Sequence, residues 1–334
     1  MKKALLIGIN AYPNMPLSGC ANDVRKLQPL LAHHGDTAKT PNFECRQILA
    51  EKDGDEPITR PRLRREVKSF FENEADTSLL YFSGHGFSSD LGGYLVTQDF
   101  VGADEGVPMQ EILALANSAL IGKRAKEVIL ILDCCFSGKL GGVKELGENA
   151  AMLAEGLTIL AASRSYQFSF EAAHAGGGIF TNLLISALQG SAANVLGQIS
   201  LGAAYSFVES MLGAWDQRPL FKCHVSKSSV VRQVEPLIEL PILRKIREYF
   251  AAGPDAEYPL DPTYEEDKHH VPEGQREVNP QHEAIFADFR KYAAKNLLVP
   301  VGEEYLYWAA VRSKSCQLTE TGKYIWQMTE KGRI

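Results

Sequence analysis

Two short runs of this 334-residue chain carry residues whose types suit covalent chemistry. Leu79-Leu80-Tyr81-Phe82 leads into Ser83-Gly84-His85-Gly86, and Ile129-Leu130-Ile131-Leu132 leads into Asp133-Cys134-Cys135-Phe136-Ser137-Gly138. Neither apolar run alternates with polar residues, so each reads as a strand covered on both faces. Ligands of open parallel sheets bind beyond the carboxyl ends of the strands, where a histidine and a cysteine leaving two strands can meet on one substrate. The chemistry of such a pair is thiol nucleophilic catalysis. A neighbouring imidazole lowers a thiol's pKa from about 8.5 and receives its proton. The thiolate attacks a carbonyl, and His85 then protonates the leaving amine. Backbone N–H groups of Gly86 and Cys135 are the candidate donors to the tetrahedral oxyanion. The adjacent Cys134 and Cys135 are not distinguished by spacing, and either residue type taken singly at a strand end is more often structural.

The elements that must position these residues follow from the apolar pattern. Strands are expected at residues 4–9, 43–50, 78–82, 127–132, 157–161 and 219–225, with a short hairpin or edge strand at 93–97. Helices are expected at 22–31, 62–72, 109–120, 180–188 and 201–212. This alternation implies a mostly parallel sheet between helices, hence an α/β core. The opening Met1-Lys2-Lys3 with 4–9 looks briefly like a signal peptide, but the run stops at Asn10 without a small-residue cleavage site, so a buried first strand is expected. No apolar run reaches the roughly 18 residues of a membrane span.

Composition narrows the classes. The chain is 45% apolar and 23% charged, which excludes a mostly disordered protein. A net charge of -6 gives no global attraction to nucleic acid or an anionic membrane. Six irregularly placed cysteines suit neither a disulfide scaffold nor a zinc site, so a reducing cytoplasm is expected.

Taken together, these motifs resemble those of caspase-like cysteine peptidases of the prokaryotic metacaspase branch. Tyr81-Phe82-Ser83-Gly84-His85-Gly86 is similar to that family's histidine motif, and Leu132 to Gly138 to its cysteine motif. Residues 5–10, followed by Ser18-Gly19-Cys20-Ala21-Asn22-Asp23, are similar to its opening. His85 and Cys135 lie fifty residues apart, the interval known in caspases. The resemblance spans roughly residues 1–230. It implies a three-layer sandwich around a six-stranded, mostly parallel sheet over residues 1–232. It makes Cys135 the nucleophile and His85 the general acid/base, with Cys134 in the preceding small-residue position.

The resemblance also implies specificity. The Gln-Ala-Cys-Arg/Gln-Gly signature of Asp-cutting caspases is absent, and the family's acidic pocket positions fall on Asp23 and Asp133, with Ser83 beside them. Two carboxylates in a narrow pocket bind a guanidinium or ammonium by charge-assisted hydrogen bonds, so cleavage of proteins after Arg, then Lys, is expected. Spacing alone favours Asp23 as a first-turn helix residue satisfying backbone N–H groups, a preference that the resemblance reverses. Many metacaspases bind calcium through aspartates. Here Asp90, Asp99 and Asp104 make no convincing set of 6–8 oxygen ligands, so neither calcium dependence nor another cofactor is expected. Lys139 and Lys144, in the Gly-rich stretch after the nucleophile, are the candidate autocleavage sites in what otherwise reads as a surface connection.

Beyond residue 232 the composition changes. Residues 233–281 are expected as a helix at 241–250 and a Pro- and acid-rich stretch at 253–280 that reads as a loop or linker unless a domain orders it, and 282–334 as a small, mainly helical, winged-helix-like module with helices at 282–297, 303–311 and 319–331. Tyr305, Tyr307, Trp308, Arg312, Tyr324 and Trp326 are the candidate set for stacking a nucleobase and holding phosphates, although packing of the module explains the aromatics more cheaply. From residue 235 onward 17 acids outweigh 13 basic residues, so binding of nucleic acid is not expected. By analogy with bacterial caspase-like proteins, this region would hold activity latent until a nucleotide-derived signal or an activating protein binds, as in an antiphage or cell-death effector. The competing class is a catalytically silent interaction protein or DNA-binding regulator, against which the intact His85 and Cys135 argue.

Overall fold

The structure is a computed structural model that describes residues 1–52, 54–89, 92–101, 106–134, 136–137, 153–162, 178–212, 219–226 and 229–334. It divides into two compact units, one formed by residues 1–193 and 198–234, the other by 194–197 and 235–334.

The first unit opens with β1 (Lys2–Ile9), α1 (Cys20–Ala32), β2 (Phe43–Ala50), α2 (Arg60–Glu72) and β3 (Ala75–Ser83). Short strands β4 (Gly86–Ser89), β5 (Gly92–Leu95) and β6 (Val107–Pro108) precede α3 (Met109–Ile121) and β7 (Ala125–Asp133). There follow β8 (Phe136–Ser137), β9 (Leu157–Ala161), α4 (Ile179–Ser186), β10 (Gln198–Ser200), α5 (Leu201–Leu212), β11 (Leu220–His224) and β12 (Val230–Gln233). The six expected long strands form one sheet in the order β11-β9-β7-β3-β1-β2, parallel throughout except that β11 runs antiparallel to β9.

Period-2 geometry explains why the strands are apolar without a break. Leu5, Ile7, Leu80, Phe82, Leu130 and Leu132 face one side, with Leu63, Val67 and Phe71 of α2 and Ile112 and Ala116 of α3. Ala4, Leu6, Leu79, Ile129 and Ile131 face the other, with Val24 and Leu27 of α1, Leu184 of α4 and Val208 of α5. The result is a helix–sheet–helix sandwich, the expected α/β architecture.

The C-terminal unit has its own core. It contains α6 (Leu240–Arg244), α7 (Ile246–Tyr249), β13 (Glu257–Pro259), α8 (Pro280–Ala294), β14 (Leu298–Val301), α9 (Leu306–Val311), β15 (Ser315–Leu318) and α10 (Glu320–Glu330). The single helix expected at 241–250 is two, because the Lys245 N–H turns back to Ile242 O and tightens the chain between α6 and α7. Asn279 caps α8 ahead of Pro280, and Thr319 caps α10 through the Gly322 N–H.

The module at 282–334 is mainly helical, as expected, with β14 and β15 set between its three helices. β13, β15 and β14 form an antiparallel sheet, and β14 and β15 are joined through α9 rather than by a hairpin, so the wing of a winged helix is not formed there. The stretch expected as a linker holds β13 and buries Leu260, Tyr264 and Val271. Its polar residues are spent locally. Asp261 caps a turn through the Thr263 N–H, and the buried Glu265 carboxylate takes the Arg290 guanidinium. No helix of the described residues is long and apolar enough to cross a membrane.

Candidate active site

His85 leaves the carboxyl end of β3 and leads straight into β4, so two ladders fix its backbone. In the main sheet Ser83 lies opposite Asp133, and in the small sheet Gly86 lies opposite Phe136. The offset is fifty residues on both sides of His85 and equals its separation from Cys135 in sequence. Cys135 itself lies outside the described residues, as do Lys139 and Lys144. Cys134 is buried.

The histidine is held from below by Tyr12, which the motif reading missed. The His85 N–H donates to the Tyr12 hydroxyl at 3.0 Å, and that hydroxyl donates to the Val96 carbonyl at 3.1 Å. The Val96 N–H returns a bond to the His85 carbonyl at 3.0 Å, and the Tyr12 and His85 rings lie 4.6 Å apart. Burial pushes the Tyr12 phenol well above its ordinary pKa, so it stays a hydroxyl and a donor. His85 Nε2 is 2.7 Å from the Met15 carbonyl. A carbonyl only accepts, so Nε2 carries the hydrogen, and Nδ1 is the basic nitrogen of the neutral ring.

The two acids of the sequence reading stand together. A Cβ built at Gly8 would meet the Cys20 carbonyl oxygen at 2.6 Å, so only glycine lets the first turn of α1 settle on the end of β1. That approach brings Asp23 to Ser83, whose hydroxyl donates to Asp23 Oδ2 at 3.2 Å. The start of α4 serves both carboxyls. The Gly178 N–H donates to Asp23 Oδ2 at 3.2 Å, and Thr181 gives its hydroxyl to Asp133 Oδ2 at 2.5 Å as well as its N–H.

Asp23, Ser83 and Asp133 are all buried, and Asp23 Oδ1 has no hydrogen-bond partner among the described residues. Burial pushes the Asp23 carboxyl up to about 7, and the Asp133 charge adds to it. Burial pushes Asp133 up to about 6, against the Thr181 bonds. Two buried carboxyls thus stand near one another at this end of the sheet, with one oxygen of Asp23 unpartnered among the described residues.

Three of its supports, Tyr81, Gly178 and Thr181, escaped the motif reading. A tyrosine inside an otherwise apolar strand was the available signal, since a buried phenol needs a partner.

The remaining candidates are placed otherwise. Asp99 accepts the Arg60 N–H and the Thr97 hydroxyl, while Asp90 and Asp104 lie outside the described residues. No group of three or more His, Cys, Asp or Glu suited to a metal occurs among the described residues. Trp326 is withdrawn into the C-terminal core with its Nε1–H on the Phe250 carbonyl at 3.0 Å. Arg312 stacks on Trp308 at 4.6 Å and pairs with Glu303 at 2.9 Å, and the Tyr307 hydroxyl meets His270 Nδ1 at 3.0 Å. Tyr305 and Tyr324 are exposed.

Comparison with known proteins agrees with the fold. The solved structure of caspase-1 from Spodoptera frugiperda superposes with a TM-score of 0.51 at 14% identity, over 70% of this chain and 90% of that one. No curated protein sequence matches the chain. The family model of the caspase domain matches residues 1–230, the span that holds the sheet, His85, Asp23 and Asp133. The chain therefore belongs to the caspase-domain family, whose general activity is that of a cysteine-type peptidase.

Proposed function

We propose that this chain is a metacaspase-like endopeptidase that cuts proteins after arginine and, less well, lysine. His85 takes the thiol proton of Cys135, and the thiolate attacks the scissile carbonyl carbon. The oxyanion is held by the N–H groups of Gly86 and Cys135, and collapse expels the amine, which takes its proton from His85. Water, deprotonated by the same imidazole, then releases the acyl group. The side chain before the cut enters the socket of Asp23, Ser83 and Asp133.

The observation that carries this reading is the pair of buried carboxyls with an unpartnered Asp23 oxygen at the same end of the sheet as His85. A guanidinium brings the positive charge and the planar donors that such a pair lacks. Treatment of the full chain with a peptidyl arginine chloromethyl ketone, followed by peptide mass spectrometry, tests the assignment. Alkylation is expected at Cys135, and alkylation at Cys134 or none that depends on arginine overturns it.

Control of the peptidase is assigned to the C-terminal unit, which has a core of its own and contains none of the proposed catalytic residues. Assaying the full chain with and without added cyclic nucleotides tests a nucleotide signal. Unchanged turnover with every nucleotide removes it.

A further inference from the structure

Beneath the acidic socket lies a chain of hydroxyls that the proposed catalytic steps do not use. Tyr81 is fully buried in β3, two residues before Ser83 and on the same face of the strand. Its phenol is 2.7 Å from the Thr181 hydroxyl and is also hydrogen-bonded to the Ser83 side chain. Ser83 reaches Asp23, and Thr181 reaches Asp133. The two carboxyls, from α1 and β7, are thus the ends of one path: Asp23, Ser83, Tyr81, Thr181, Asp133.

Proton counting gives this path a definite state. It has four links, and its three hydroxyls own three hydrogens between them. With both carboxyls ionised, one link goes unmade in a fully buried site. One added proton on Asp23 completes the path: Asp23 donates to Ser83, Ser83 to Tyr81, Tyr81 to Thr181, and Thr181 to the Asp133 carboxylate. A second added proton makes no further link: with both ends as donors the Thr181 hydroxyl accepts twice, and its own hydrogen is left outside the path.

We propose that Tyr81 and Thr181 are specificity-determining positioning residues, which join the two pocket acids into one receptor that holds a single proton when empty and gives it up to a basic side chain. This rests on the reading of Asp23, Ser83 and Asp133 as the pocket for that side chain. Neither Tyr81 nor Thr181 touches substrate. They fix where the carboxyl oxygens point and which of the acids is charged. A bound guanidinium or ammonium then supplies the hydrogens and charge that the proton supplied.

Among the described residues few other charges act on the path. On α1, Lys26 acts on Asp23 from a distance while its Nζ sits on Asn182 Oδ1 at 3.3 Å. β3 contributes Tyr81 and β7 contributes Asp133, and the residues of α4 that touch the acids carry no charge.

The test is steady-state cleavage of fluorogenic Arg and Lys peptides by the full chain from pH 5 to 8.5. Wild type is compared with Tyr81→Phe, Thr181→Val and Thr181→Ser, and each variant's thermal midpoint is recorded. Tyr81→Phe and Thr181→Val are expected to raise KM for both peptides about tenfold, about 1.4 kcal/mol, with kcat within about twofold. Both should also move the pH midpoint of KM, and Thr181→Ser, which restores the hydroxyl, should restore both quantities.

A merely structural role would lower the thermal midpoint without splitting KM from kcat. Unchanged KM and an unchanged pH midpoint in a wild-type enzyme that cuts after Arg overturn the inference alone. A wild-type enzyme that cuts instead after neutral or acidic residues overturns the pocket reading beneath it.

Discussion

Replacing Asp133 by asparagine should stabilise the folded chain and, in the same molecule, remove cleavage after arginine. Asp133 is buried, and its carboxyl is displaced from 3.8 to about 6 by that burial. Each pH unit of displacement corresponds to about 1.4 kcal/mol, so ionising it in the folded state costs about 3 kcal/mol at neutral pH. The sign follows from the direction. A carboxyl whose folded value is raised contributes stability below its unfolded value near 3.8, and that contribution is lost as pH rises through about 6. Asparagine keeps an acceptor for the Thr181 hydroxyl and N–H and removes the charge. Urea unfolding followed by intrinsic fluorescence should show a gain of about 2–3 kcal/mol at pH 7.5 and about half that at pH 5. A loss at pH 7.5, or an equal gain at both pH values, would refute the argument, since either result would mean that the Asp133 charge is not held against a burial cost.

Other expectations follow from single contacts. Tyr12→Phe leaves the His85 N–H without its 3.0 Å partner, so stability should fall by about 1–3 kcal/mol in urea unfolding and kcat should drop several-fold with little change in KM. Gly178→Ala would set a Cβ 2.6 Å from Asp133 Oδ2. It should raise KM for Arg peptides about tenfold and, because the displaced carboxyl is buried and held by Thr181, lower the thermal midpoint as well. Trp326→Ala empties a buried site and frees the Phe250 carbonyl, so the C-terminal unit should lose about 3–5 kcal/mol, read from its own calorimetric transition.

The core sheet was legible because its strands are covered on both faces, and an unbroken run such as Val128 to Leu132 has few other uses. The positions of His85, Asp23, Ser83 and Asp133 were legible through motifs local to strand and helix ends. Their supports were not, because the contacts are remote in sequence. The Gly178 N–H reaches Asp23 across 155 residues, and Tyr81 meets Thr181 across 100. Nothing near Tyr12 marked it as the group beneath the histidine. The packing of the stretch after Gly253 was not legible for a different reason. Its acids and prolines imitate a linker, while Asp261 and Glu265 spend their charges on a turn and on Arg290 and leave Leu260 and Tyr264 to pack.

The central claim is that a caspase-type thiol cuts after a basic residue held by paired carboxyls. It is tested most directly by steady-state cleavage of fluorogenic peptides that end in Arg, Lys or Asp before the reporter, with the full-length protein and with Cys135→Ala as the blank. Turnover is expected after Arg, more weakly after Lys, not after Asp, and not at all in the blank. Turnover after Asp, or turnover that survives Cys135→Ala, would contradict it.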